Sequence, residues 1–137
     1  MTHATDLDRE TSPTPTLVAW FAIMDSDDPD RVLGMITDDF RMSIQFSTGG
    51  GNAAEFVGDR AGLVGYLQQR EKSVLVHEVL AGARVGDVEL ALGRTTRNGE
   101  FEASFNTSAQ LDESGLVRRL LICRTPEISF ETAVSTC

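Results

Sequence analysis

Five side chains in this 137-residue chain could do chemistry on a small molecule. His77 comes first, because imidazole titrates near neutrality and serves as base or acid without a cofactor. Strand alternation puts it in phase with Leu75, Val79, Ala81, Ala83 and Val85 and so directs it to the apolar face of a sheet. A plainer account is a hydrogen-bonded or solvated histidine near a strand end. Arg94 shares a phase with Val88, Leu90 and Leu92. It could clamp a carboxylate or enolate, or simply snorkel to water from the rim. Thr107 offers a hydroxyl to a ligand carbonyl, though threonine in a strand needs no such reason. Tyr66 and Trp20 carry polar tips on aromatic bodies, and at helical spacing they serve equally well as core.

Charge and composition narrow the chemistry. Twenty-one acidic residues against 12 basic ones give a net charge of −9, which repels a phosphate backbone and argues against nucleic-acid partners. No run approaches the length of a membrane span, and Met1–Pro15 lacks the basic and apolar regions of a secretory signal, so a cytoplasmic protein is expected. Two cysteines, Cys123 and Cys137, make no disulfide framework, and Cys123 reads as an inert strand residue. The acidic cluster Asp25–Asp28 with Asp30 is explained by a helix break and a new helix start. No histidine or regular oxygen-ligand loop accompanies it, so no metal is expected. Gly49-Gly50-Gly51-Asn52 reads as a flexible loop; it lacks the Lys-Ser/Thr of a phosphate loop, and no cofactor is implied.

The elements that must hold these side chains follow from periodicity. Residues 1–13 read as a disordered leader, 14–126 as one domain and 127–137 as a tail. Thr14-Pro15 opens a helix in which Leu17, Trp20, Phe21 and Met24 recur on one side. Asp28-Pro29 opens a second, short one with Val32, Leu33, Met35 and Ile36 buried. Phe40–Ser47 alternates cleanly as a strand, with Phe40, Met42, Ile44 and Phe46 on one face. Gly58-Asp59 introduces a third helix, Arg60 to about Lys72, with Leu63, Val64, Tyr66 and Leu67 inward. Four strands then follow as an antiparallel meander: Val74–Val85, Val88–Arg97, Phe101–Leu111 and Leu116–Arg124. Their links are too short for parallel returns, and Asn98-Gly99 is a strong hairpin signal.

Helices gathered on one face of a curved sheet make an α+β layer fold, and three of them cannot seal so twisted a surface. A conical cavity is therefore expected, lined by Trp20, Met24, Met42, Ile44, Phe46, Tyr66, Arg94, Phe105 and Thr107. Alternation sends Glu78, Glu89 and Glu102 to the opposite face, with Ser104, Asn106, Ser108 and Gln110.

Several marks are familiar together: Trp20-Phe21, Met24-Asp25, Asp28, Asp30, Leu33 and Ile36-Thr37-Asp38-Asp39-Phe40; Gly58 before the third helix; and the turns Val85–Val88 and Leu111–Val117. Over Thr16–Pro126 the chain resembles the NTF2-like superfamily, which includes the SnoaL-like polyketide cyclases, ketosteroid isomerase and limonene-epoxide hydrolase. The resemblance implies a cone of three helices on a curved mixed or antiparallel sheet and a homodimer formed through the outer sheet face. It does not transfer a mechanism. Trp20 stands at the isomerase tyrosine, Ile44 at its aspartate base and Thr107 at its protonated acid, so all three roles are lost or weakened. The epoxide hydrolase's Asp-Arg-Asp set is not recognisable. The sequence thus points to a SnoaL-like protein that binds a small hydrophobic molecule and performs proton transfer through His77. The alternative is a non-catalytic binding or dimeric module on the same fold.

Overall fold

The computed structural model describes residues 12–69 and 75–130. The expectations for the leader up to residue 11, for residues 70–74 at the end of the third helix and the start of the next strand, and for the tail from residue 131 lie outside the described residues. Among those described, helix α1 spans Pro15–Met24, a 3-10 helix spans Pro29–Met35, and helix α2 spans Arg60–Gln69. The strands are β1 Ile36–Gly49, β2 Asn52–Asp59, β3 Leu75–Val85, β4 Val88–Arg97, β5 Glu100–Leu111 and β6 Val117–Thr125. They form one six-stranded sheet in the order β2-β1-β6-β5-β4-β3. All neighbours are antiparallel except β1 and β6, which run parallel and join the N-terminal hairpin to the meander. This is an α+β fold with helices against a curved mixed sheet, the cone architecture that the pattern of elements implies. No helix among the described residues is long and apolar enough to cross a membrane.

Strand β2 is the element that periodicity did not reveal. Asn52–Asp59 is mostly exposed and turns only Phe56 and Gly58 toward the interior side of β1, so its sequence shows no apolar alternation to read. The glycine run expected to be a flexible loop is a tight hairpin, with Gly50 and Gly51 both at positive φ. Asn98 and Gly99, at φ 54° and 83°, form the turn their dipeptide predicts. The second helix is wound as 3-10, whose three residues per turn bury Val32 fully while Ile36 already belongs to β1.

The core lies between α1, α2 and the concave face. Leu17, Trp20, Phe21 and Met24 of α1 and Leu63 and Leu67 of α2 meet Phe40, Met42 and Ile44 of β1, Phe105, Ala109 and Leu111 of β5, and Leu120 and Ile122 of β6. The face of β4 is the reverse of the one its apolar residues suggested. Glu89, Ala91 and Thr95 are buried against the helices, whereas Val88, Leu90, Leu92 and Arg94 look outward. A bulge at Leu80 also inverts the second half of β3, so Ala81, Ala83 and Val85 join the outer face.

Glu89 explains why β4 faces this way. Its side chain is fully buried, and its two carboxylate oxygens accept the backbone N–H groups of Leu17 at 2.9 Å and Thr16 at 3.2 Å. Thr14 occupies the N-cap position, yet its side chain makes no capping bond to the helix. The first-turn donors of α1 are satisfied instead by a carboxylate on the sheet, which the positive end of the helix dipole also favours. Glu89→Ala is expected to cost roughly 2–4 kcal/mol of folding stability, because it orphans two buried N–H groups. Glu89→Gln, which keeps one acceptor, should lose less; denaturant unfolding of the three proteins measures the order.

Candidate active site

Helix α1 ends at Met24, and the next residue, Asp25, reaches across to the start of β3. One carboxylate oxygen accepts the backbone N–H of His77 at 2.6 Å; the other lies 2.7 Å from Nδ1 of the same residue. A carboxylate can only accept in such a pair, so Nδ1 carries the hydrogen, and in the neutral imidazole the lone pair is then on Nε2. The imidazole is stacked on Phe21 at 4.9 Å between ring centres, with an interplanar angle of 13°, and meets the edge of Phe105 at 5.7 Å. The side chains of His77 and Asp25 are 17% and 12% exposed, so the pair is sheltered and still reachable from solvent.

Phe105 is set by a missing side chain. A Cβ at Gly93 would come within 2.2 Å of its ring, so only glycine lets that ring lie flat on β4 beside His77. The strand pairing then brings further polar groups to the same end of the sheet. Thr95 is paired with His77 across β3 and β4, and it is buried. Arg124 of β6 is paired with Phe105 and with Phe46, both on the concave face. Its Nη2 donates to Thr95 Oγ1 at 3.3 Å and to Glu102 Oε2 at 3.0 Å. Glu102 also receives Nε of Arg97 at 3.0 Å. A bulge at Glu102 turns its carboxylate to these partners, away from the outer-face position that plain alternation gives it.

The expected site residues thus divide. His77 lies on the concave face, as its phase with Leu75 and Val79 predicts. Trp20, Met24, Met42, Ile44 and Phe105 are buried in the core, and Phe46 and Tyr66 pack against it. Thr107 is buried on the same face, and its hydroxyl has no hydrogen-bond partner among the described residues. Arg94 is not part of this set: it lies on the outer face and pairs with Glu78 at 3.0 Å. The inward arginine is Arg124, and its signal was available in its alternation with Leu120 and Ile122. Asp25 had a weaker one, its place just past the last buried residue of α1. The inward carboxylate Glu89 was hidden by its apolar neighbours.

The Glu102 carboxyl is subject to opposing influences. Burial pushes it up, but the hydrogen bonds from Arg97 and Arg124, together with their charges, outweigh that and hold it below its ordinary value of 4.5. A carboxyl lowered in the folded state stabilises the fold above its unfolded value and loses that contribution as pH falls through the folded one. Glu102→Gln should therefore be less stable than the parent at neutral pH. The gap should close as acid takes the pH below 4.5, as read from unfolding curves across that range.

No protein-family model and no curated protein matches the sequence. Solved structures do match. A candidate isomerase of the SnoaL-like family from Agrobacterium tumefaciens superposes with a TM-score of 0.60 at 13% identity, covering 79% of this chain and 92% of that one. A candidate polyketide cyclase from Sinorhizobium meliloti gives 0.55 at 19%, with coverage of 79% and 94%. An NTF2-like protein of unknown function from Cytophaga hutchinsonii gives 0.57 at 11%, with coverage of 84% and 91%. Identities this low speak for the shared architecture alone. On the order of its strands, the parallel β1–β6 junction and these superpositions, the chain has the NTF2-like fold found in SnoaL-like proteins.

Proposed function

We propose that this protein binds a small hydrophobic organic molecule at the end of the cone where His77 lies, and moves a proton on it without a cofactor. One observation carries the reading: Asp25 holds His77 by both its backbone and its ring, leaving Nε2 as a base on a sheltered but reachable surface. Phe21 and Phe105, themselves buried, fix the ring that carries that nitrogen, so the ligand meets His77 at its partly exposed edge. Trp20, Met24, Met42, Ile44 and Tyr66 form the wall behind them. Nε2 takes a proton from a carbon next to a carbonyl, and the electron pair moves onto the carbonyl oxygen. The imidazolium, stabilised by Asp25, then returns the proton at a second position. The superposed candidate isomerase and candidate cyclase suggest the reaction classes; a dehydratase, with an oxygen leaving, uses the same first step. Thr107, with its unpartnered buried hydroxyl, is available to a ligand oxygen.

The test is deuterium exchange. In D2O, 2-tetralone should lose its α-proton NMR signals faster with the protein than in buffer. His77→Ala should slow the protein-dependent exchange by about 100-fold or more, the scale of one general base. Asp25→Asn should slow it as well, with both variants folded by circular dichroism. Exchange that proceeds unchanged in His77→Ala would sink the catalytic reading, and a melting temperature indifferent to the ketone would remove the binding one.

A second reading, a dimeric module, draws on a different face. The strand register aligns Val57, Ser43, Leu121, Ser108, Leu90 and Ala83 in one row across the outer side of the sheet. Three of these are large exposed apolar side chains: Val57 at 56%, Leu121 at 44% and Leu90 at 38%. Small and polar neighbours around them suit a partly wet contact between two copies. Sedimentation at micromolar concentration should give a dimer, and Leu121→Lys at the centre of the row should give a monomer of unchanged secondary structure. A monomeric parent protein excludes this assembly.

A further inference from the structure

The segment that follows β6 lies on the outer face of the sheet and is pinned there by its main chain. After Thr125 the chain turns at Pro126-Glu127, where Thr125 Oγ1 accepts the N–H of Glu127 at 3.1 Å. It then crosses β5, and Ser104 Oγ donates to the carbonyl of Ile128 at 2.6 Å. Ser104 faces outward by register, beside Arg94 and Thr125, yet it is only 4% exposed because this segment covers it. The side chains of the segment are left to solvent: Ile128 is 53% exposed and Phe130 39%. The carboxylate of Glu127 has no partner among the described residues. The result is a fixed apolar ridge with one acid beside it.

A trough of matching character lies at the other end of the same face. Val57, Leu121 and Val88 line it, and Arg41 of β1 and Arg119 of β6 stand over it as neighbours in the parallel register. Like charges set side by side repel, and the nearby acids are engaged elsewhere. Asp59, opposite Arg41, caps the N–H of Gly62 at 3.0 Å; Asp39 pairs with Arg118 at 3.2 Å; Asp87 accepts the Gln110 amide at 3.3 Å. Arg119 donates through Nη1 to the main-chain carbonyls of Asp39 and Arg118, and Arg41 has no partner among the described residues. Neither guanidinium is paired with a carboxylate among those residues.

We infer that the trough receives the 126–130 segment of a second copy. Ile128 and Phe130 of one chain pack on Val57, Leu121 and Val88 of the other, and Glu127 meets Arg41 and Arg119. The inference rests on the outer-face dimer proposed above and names what holds it together. A chain cannot fill its own trough: the ridge is held at Ser104, six residues along β5 from Gln110 on the trough rim, which is roughly 20 Å. A two-fold axis running across the strands exchanges the two ends of the face, so each chain supplies one ridge and one trough and the contact is made twice. The acid on the ridge removes the repulsion between the two arginines, and that complementarity selects this segment over an apolar one without charge.

Sedimentation equilibrium of the full chain over a concentration series gives the dimer dissociation constant. Ile128→Ser with Phe130→Ser, which keeps the main-chain bond to Ser104, should raise it about tenfold or more. Glu127→Arg and Arg41→Glu, both at exposed positions, should each raise it about tenfold. Combined in one chain they should dimerise more tightly than either alone, because the pair re-forms with its signs reversed. Circular dichroism and melting curves check that each variant is folded, and the charge reversals carry the test if the serine variant is not. The inference is overturned if the single charge reversals leave the constant unchanged, or if the combined variant is no tighter than the weaker of the two. An open series of oligomers in place of a dimer overturns the two-fold arrangement. A dimer broken by Leu121→Lys but indifferent to changes at 127, 128 and 130 overturns this inference and leaves the outer-face dimer standing. A monomeric parent removes both.

Discussion

Helix α1 is tied to the sheet at both ends by carboxylates, and the site depends on that tether. At the N-terminus Glu89 of β4 takes up first-turn N–H groups; at the C-terminus Asp25 takes the N–H and ring nitrogen of His77 on β3. The two ends are not equivalent. A carboxylate at a helix start gains from the macrodipole, whereas one just past the helix end is opposed by it, and Asp25 offsets that through two short hydrogen bonds. A ten-residue helix is about 15 Å long, so pinning both ends fixes its rotation as well as its position. That rotation delivers Phe21 onto the His77 ring and Trp20 onto Phe40.

The tether also accounts for the composition of the concave face. To receive α1 and the ring of Phe105, the inner positions of β4 must be small or hydrogen-bonding, and they are Glu89, Ala91, Gly93 and Thr95. The larger aliphatic residues of that strand, Leu90 and Leu92, are left on the other side. Hydrophobicity therefore points the wrong way in β4, because space, not polarity, sets which side chains fit under the helix. The same logic places Ala103 and Ala109 inward on β5, where Phe105 supplies the bulk.

Opposite charges are then concentrated where the apolar packing ends. Asp25 with His77, and Arg97 with Glu102 and Arg124, lie along one end of the sheet, where Thr95 bonds Arg124 and pairs through its backbone with His77. Partial burial strengthens such contacts relative to open surface. In this NTF2-like scaffold the polar groups at that end are an imidazole held by a carboxylate and a guanidinium held by another.

Much of the architecture was written in local pattern. The spacing of Leu17, Trp20, Phe21 and Met24, the alternation of Phe40–Phe46 and of Ala103–Leu111, and the Asn98-Gly99 turn each encode an element through forces that act within a few residues, and so they could be read directly. His77 was placed on the correct face for the same reason, since no irregularity separates it from Leu75 and Val79. Edge strand β2 and the bulges at Leu80 and Glu102 lie within hairpins but leave no apolar period to read, and the inward turn of Glu89 follows from contacts more than 70 residues apart. So does the union of Asp25 with His77, 52 residues apart, and of Arg124 with Thr95, 29 apart. A side chain's type is a local property, but its partners are assigned by packing, and the chemistry of this site is a property of the partners.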